Sequence, residues 1–173
     1  MNKTITVIGP NKSVCSEELY KFGIKLGRML VDMDYIIVNG GMHGVMEAVF
    51  KGAHQSVNYN FGKTIGIIPS LNKEEANRYC DIIIPTGIGY ARNQIVINSS
   101  NIIIAISGGA GTLSEIAYAW QMNKQIYSFV NFDGWAKELA DMKLDSRKND
   151  KIISVSNLEK LKILLMKEST KAQ

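Results

Sequence analysis

Cysteine and histidine are scarce in these 173 residues, with two of each. Cys15 and Cys80 stand far apart and form no C-x-x-C, so neither a disulfide framework nor a cysteine zinc site is expected, and a reducing compartment fits. His43 and His54 are not spaced as a metal pair, and no metal is expected. No apolar run approaches the length of a membrane span. The opening segment, Met1 to Gly9, offers one lysine and a short run that ends at glycine. It is too short for the apolar region of a secretory signal and reads as a first strand, so the expected compartment is the cytoplasm. Charge is not concentrated either. The formal +4 comes from scattered lysines, with no basic stripe interleaved with aromatics, so nucleic acid is not indicated as a partner.

What is present is an ordinary globular composition, 46% hydrophobic and 21% charged, in a chain long enough for one domain with a full core. Short β-rich runs alternate with helical ones. The strand candidates are Thr4–Ile8, Tyr35–Asn39, Lys63–Ile68, Asp81–Pro85, Asn101–Ser107, Gln125–Asn131 and Ile152–Ser156. Ile82-Ile83-Ile84 and Ile102-Ile103-Ile104-Ala105-Ile106 are near-continuous apolar runs, which suit strands covered on both faces. Helices are predicted over Val14–Met33, Gly44–Gln55, Tyr90–Ser100, Thr112–Asn123, Trp135–Met142 and Leu158–Lys167. In the first, Leu19, Phe22, Leu26, Met29 and Leu30 form one apolar stripe. This alternation predicts an α/β domain over residues 1–173, with a mostly parallel sheet of about seven strands and helices on both faces. Ser70–Tyr79 reads as a short helix or loop, Asp145–Asp150 as a polar loop and Ser169–Gln173 as a frayed tail.

In such a sheet, ligands sit where strand carboxyl ends meet helix N-termini. Three clusters fall there: Asn39-Gly40-Gly41-Met42-His43-Gly44-Val45-Met46-Glu47, then Thr86 to Asn93, then Ser107-Gly108-Gly109-Ala110-Gly111-Thr112-Leu113-Ser114-Glu115. The last brings bare backbone N–H groups to a helix start, where an anion is favoured. It lacks the lysine of a Walker loop and the spacing of the dinucleotide fingerprint, so those cofactor classes are disfavoured. Each candidate has two readings. Gly108, Gly109 and Gly111 hold a phosphate or simply make a tight turn. Thr112 and Glu115 form a capping box, or Glu115 faces the crevice as an acid or base. Arg92 meets an anion, with Glu115 as one candidate, or is solvated. Gly40, Gly41 and Gly44 contact ligand or permit close helix–sheet packing. His43 reads as an exposed loop residue and Glu47 as a helix-dipole partner. One of Tyr118 and Trp120 belongs to the core and the other to a partner surface. Asp133 sits near a helix cap.

Taken jointly, the motifs are familiar. Residues 107–115 resemble the Pro-Gly-Gly-x-Gly-Thr-x-x-Glu motif of the LOG ("lonely guy") family, and residues 40–46 are similar to its upstream Gly-Gly-x-x-Gly-Leu-Met. Arg92 occupies the place of the arginine that precedes the main motif. The resemblance covers about Ile5 to Ala140. It implies a Rossmann-like homodimer, or tetramer, that cleaves nucleoside 5′-monophosphates at the N-glycosidic bond to give free base and ribose 5-phosphate. Gly108, Gly109, Gly111 and Thr112 would hold the 5′-phosphate, Arg92 and Glu115 would be the catalytic pair, and no cofactor is implied. The helices after Tyr90 and Thr112 would face the second subunit. The old lysine-decarboxylase label is rejected, because nothing resembles a pyridoxal-phosphate site. Three departures stand out: Ser107 replaces proline, Asn93 replaces lysine, and Glu47 replaces a glycine, bringing a carboxylate toward an anion pocket. They look like a less characterised branch near the molybdenum-cofactor carrier proteins. The alternative function is therefore a non-catalytic carrier or sensor of a nucleotide or phosphorylated pterin. A DNA-processing role ranks last.

Overall fold

Apolar runs bounded by glycine and polar turns become the strands of one sheet. A computed structural model of the chain describes residues 3–147 and 150–171. Among these, strands β1 (Lys3–Ile8), β2 (Tyr35–Asn39), β3 (Thr64–Ile68), β4 (Ile82–Pro85), β5 (Ile102–Ile106), β6 (Gln125–Phe129) and β7 (Ile153–Val155) pair in parallel. Their order is β4-β3-β2-β1-β5-β6-β7. The helices are α1 (Glu17–Asp32), α2 (Val45–Ala53), α3 (Asn93–Asn98), α4 (Ala110–Gln121), α5 (Trp135–Glu138) and α6 (Leu158–Lys171). This is the α/β architecture the alternation predicts.

Alternation along each strand feeds two cores. Ile5 and Val7 of β1 join Ile37, Ile104 and Ile106 in a layer with Leu26, Leu30, Val49, Phe50 and Leu161, which brings α1, α2 and α6 to one face. Ile8, Val38, Ile67, Ile103 and Ala105 meet Val96, Ile116, Trp120 and Ala136, from α3, α4 and α5, on the other. Two helical glycines let α1 and α2 pack backbone to backbone. A Cβ on Gly27 would overlap the Val49 carbonyl, and one on Gly52 the Ile24 carbonyl. Trp120 is buried, its indole N–H donating to Asp145 at 2.8 Å, while Tyr118 is half-buried against the same core.

Helix ends depart from the sequence reading where caps decide them. Ser16 Oγ accepts the Leu19 N–H at 3.1 Å, so α1 starts at Glu17 and Lys12–Val14 forms a separate 3-10 turn. The Tyr90–Ser100 segment divides into a 3-10 turn (Gly89–Arg92) and α3. Helix α5 is only four residues long; Gly134 is its cap, and Asp133 pairs instead with Lys137 at 2.7 Å. Helix α6 runs to Lys171, past the expected start of the tail. Ala172, Gln173 and two residues of the polar loop, Lys148 and Asn149, lie outside the described residues. No helix among the described residues is long and apolar enough to cross a membrane.

Candidate functional site

The chain runs outward from β1 through β2 and β3 to β4, then returns to lay β5 against the other side of β1. Loops after β1 and β5 therefore diverge to opposite faces, and a crevice opens between them at the strand carboxyl ends. A cleft of about 520 Å³ occupies that crevice. Its walls come from four loops: Gly9, Pro10 and Asn11 after β1, Gly40 and Met42 after β2, Arg92 and Asn93 at the start of α3, and Gly109, Gly111, Thr112 and Glu115 after β5.

The turn after β5 is held from behind. Ser107 and Gly108 both take positive φ, 54° and 95°. The carbonyl oxygens of Ser107 and Gly108 accept N–H groups of Ala136 and Trp135 at 3.0 and 2.9 Å, and Ser107 Oγ donates to the Asp133 carbonyl at 2.7 Å. With its carbonyls turned inward, the loop presents its amides outward. The N–H groups of Gly109, Ala110, Gly111 and Thr112 find no acceptor among the described residues. A Cβ on Gly109 or Gly111 would meet only open space, so no protein atom plugs the turn. This is a ready anion cradle at the N-terminus of α4.

The capping-box reading of Thr112 and Glu115 is corrected. Helix α4 begins at Ala110 with Gly109 as cap and no side-chain cap bond, which moves Glu115 beyond the first turn. Its side chain turns to the cleft instead. There Glu115 Oε1 lies 3.7 Å from Arg92 Nη1, with both side chains about one-tenth exposed. That distance makes an ion pair but not a hydrogen bond. Arg92 Nε is buried without a partner. The solvated-surface alternative for Arg92 therefore fails. Burial pushes the Glu115 carboxyl up to about 7, with Arg92 opposing the rise. Burial likewise lowers the Arg92 guanidinium from its ordinary value, and Glu115 opposes that shift. Two groups shifted by burial face each other in one cleft, with hydrogen-bonding capacity to spare.

Gly40 is the seat of the arginine: a Cβ there would overlap the guanidinium nitrogens and lie 2.7 Å from Cζ. The loop that carries it is clamped by two asparagines. Asn39 Oδ1 accepts the Gly41 N–H at 2.8 Å, and its Nδ2 donates to the Met46 carbonyl at 3.0 Å. Asn77 Nδ2 donates to the carbonyls of Gly41 and Met42 at 3.0 and 2.7 Å. Gly41 and Gly44, both at positive φ, pack on backbone, Gly41 against Gly66 and Gly44 against Pro10 to Lys12. Gly108 lies beneath Thr112. These three shape the loops and do not line the cleft, whereas Gly40, Gly109, Gly111, Thr112, Arg92 and Glu115 do.

Glu47 does not enter the pocket. Its carboxylate meets His43 at 3.2 Å on the surface, so the anticipated carboxylate in an anion site is absent. His54 is satisfied by the Tyr79 carbonyl at 3.1 Å and by Asp81 at 3.3 Å. No group of three His, Cys, Asp or Glu among the described residues could hold a metal. The sequence reading missed the β1 loop and the apolar wall that Val14 and Pro69 complete beside Met42 and Met46. Gly9-Pro10 directly after the first strand was the available signal, since that strand borders the reversal of strand order.

Comparison with known proteins adds kinship. The model of the SLOG cluster4 family matches residues 2–162. An uncharacterised protein of Archaeoglobus fulgidus is 39% identical over 124 residues, 72% of this chain and 78% of that protein. A protein of Mycobacterium marinum named cytokinin riboside 5′-monophosphate phosphoribohydrolase is 30% identical over 158 residues, 82% of each. Among solved structures, the molybdenum cofactor binding protein of Rippkaea orientalis superposes with a TM-score of 0.83 at 31% identity, over 96% of this chain and 97% of that one. The family resemblance read over about Ile5 to Ala140 is matched by a family model over residues 2–162, and the chain belongs to the SLOG cluster4 family.

Proposed function

We propose that the cleft binds a nucleoside 5′-monophosphate and cleaves its N-glycosidic bond, releasing the free base and ribose 5-phosphate. One observation carries this reading: Arg92 and Glu115, buried 3.7 Å apart with no hydrogen bond between them, stand in the same cleft as four unpaired amides. The amides of residues 109–112 hold the phosphate and fix the sugar, which supplies positioning. As the C1′–N bond breaks, its electron pair leaves with the base, which takes a proton from solvent water, and positive charge builds on the sugar. Ionised Glu115 stabilises that charge, takes a proton from the water whose oxygen adds to C1′, and returns that proton to solvent, so that one water is consumed overall. Arg92 holds Glu115 in place and donates to the sugar or phosphate. The similarity to the Mycobacterium marinum phosphoribohydrolase supports the substrate class. The test is free-base release from AMP and N6-substituted AMP; release no greater than that of Glu115→Gln removes the reading.

A carrier of a phosphorylated pterin is the second reading, and the 31% identity to the Rippkaea orientalis molybdenum cofactor binding protein favours it. It uses the same cradle with no bond broken. Mass spectrometry of the bound ligand separates the two: an intact phosphorylated pterin supports the carrier, and ribose 5-phosphate supports the hydrolase. Either protein works as a homodimer in this proposal. Edge strand β4 and the turn after it expose four large apolar side chains, Ile82, Ile84, Ile88 and Tyr90, which a second copy would cover. Sedimentation of wild type and Ile84→Glu tests it; a monomeric wild type sinks the dimer.

A further inference from the structure

Asn93 follows Arg92 in the chain, lines the same cleft and is held in one orientation. Ser114 Oγ donates its single proton to the Gly111 carbonyl at 2.7 Å. Toward Asn93 that oxygen can then only accept, and Asn93 Nδ2 donates to it at 3.1 Å. Flipping the amide would set two acceptors against each other. Asn93 Oδ1 is thereby turned away from Ser114, and it accepts from no group among the described residues. The residue as a whole is 6% exposed, so its amide is held within the cleft wall. Among the described residues the sealed, partnerless side-chain atom is Arg92 Nε, which leaves Asn93 Oδ1 reachable.

The chemistry of this oxygen is opposite to that of its neighbours. The cradle amides and Arg92 are donors, matched to an anion. An acceptor beside them repels a second anion and matches a hydroxyl. We propose that Asn93 reads a hydroxyl of the sugar in the bound phosphate ester, and that Ser114 is its positioning residue, locking the amide. The inference rests on the sugar-phosphate reading of the cleft. A phosphate on residues 109–112 brings the sugar esterified to it against the wall formed by Arg92, Asn93 and Glu115. Ser114 joins that wall to the cradle, because its acceptor, the Gly111 carbonyl, belongs to the cradle turn.

The experiment is calorimetric binding of inorganic phosphate, AMP and its 2′-deoxy and 3′-deoxy analogues, in the Glu115→Gln background so that no turnover consumes the ligand. AMP is expected to bind about 3- to 10-fold more tightly than one deoxy analogue. Asn93→Ala is expected to bring that ratio below about 2-fold while leaving the affinity for inorganic phosphate unchanged. Ser114→Ala, which removes the lock on the amide and leaves Asn93 itself in the cleft wall, narrows the ratio. A ratio that survives in Asn93→Ala, or one missing before that change, overturns the proposal. Failure of both AMP and phosphate to bind is a different result: it removes the reading of the cleft itself, and this inference with it.

Discussion

Replacing Glu115 by glutamine is expected to stabilise the protein at neutral pH while, in the hydrolase reading, it abolishes turnover. Glutamine is a close stand-in for the protonated acid. Burial pushes the Glu115 carboxyl from its ordinary 4.5 up to about 7, with Arg92 opposing. A folded pKa above the unfolded one means the native state keeps a proton that the unfolded chain has already released. Stability therefore falls as pH rises from 4.5 to about 7 and levels off beyond. At about 1.4 kcal/mol per pH unit, the full penalty is roughly 3 kcal/mol, and the attraction to Arg92 is already inside that figure. The side chain is 10% exposed, so solvent screening takes little from it. Removing the carboxylate lifts the penalty. The expected gain is up to roughly 3 kcal/mol near pH 8, or about 6–12 °C in Tm for a domain of this size. Near pH 5 the gain shrinks to under about 1 kcal/mol, because the native acid is already neutral there. Urea unfolding of both proteins at the two pH values measures it. A gain of equal size at both, or none near pH 8, refutes the claim that this carboxylate is ionised against its surroundings. A functional group that destabilises its own fold is the usual signature of a working site.

Three further outcomes follow from the same geometry. Because the ionised form of Glu115 does the work in the hydrolase reading, kcat/KM for base release is expected to fall below a pH of about 7 and stay level above it; a flat profile through that range removes Glu115 as the ionised group. Gly40→Ala demands no unusual backbone but lands a methyl on the Arg92 guanidinium, so kcat is expected to drop about 10- to 100-fold with Tm nearly unchanged. Wild-type turnover in that variant would show that the seat does not position the arginine. Gly52→Ala drives a methyl into the Ile24 carbonyl and separates α1 from α2, for a loss of about 1–3 kcal/mol or more in chemical denaturation, with the cleft residues untouched. An unaltered midpoint would contradict the backbone-to-backbone packing of those helices.

What residue order alone determined is everything that depends on near neighbours. The apolar run Ile102 to Ile106 becomes a central strand, whereas the similar run Ile82 to Ile84 becomes an edge strand with Ile82 and Ile84 exposed, because an apolar run is a local property and its place in the sheet is not. Strand–helix alternation still admits little besides a parallel sheet with two helical layers. The glycines of residues 108–111 announce an exposed turn for the same reason. Caps were less legible. Ser16 with Glu17 and Glu18 carries the signal that starts α1, but Thr112 and Glu115 fit a capping box that the inward-held carbonyls of Ser107 and Gly108 overrule. Only the tertiary structure decided what the site is. Arg92 ends the 3-10 turn before α3 and Glu115 lies on α4, and their pairing depends on the return of the chain from β4 to β5 beside β1. The burial that raises the Glu115 carboxyl is the sum of atoms from loops far apart in the sequence, and the bare face of Gly40 matters only because a guanidinium comes to rest on it. Glu47 was drawn toward the pocket by its place in a motif, and helix α2 turns it to the surface beside His43. Spacing along a chain encodes what i can do to i+4; which distant groups share one dry cleft is set by packing, and function here resides in that cleft.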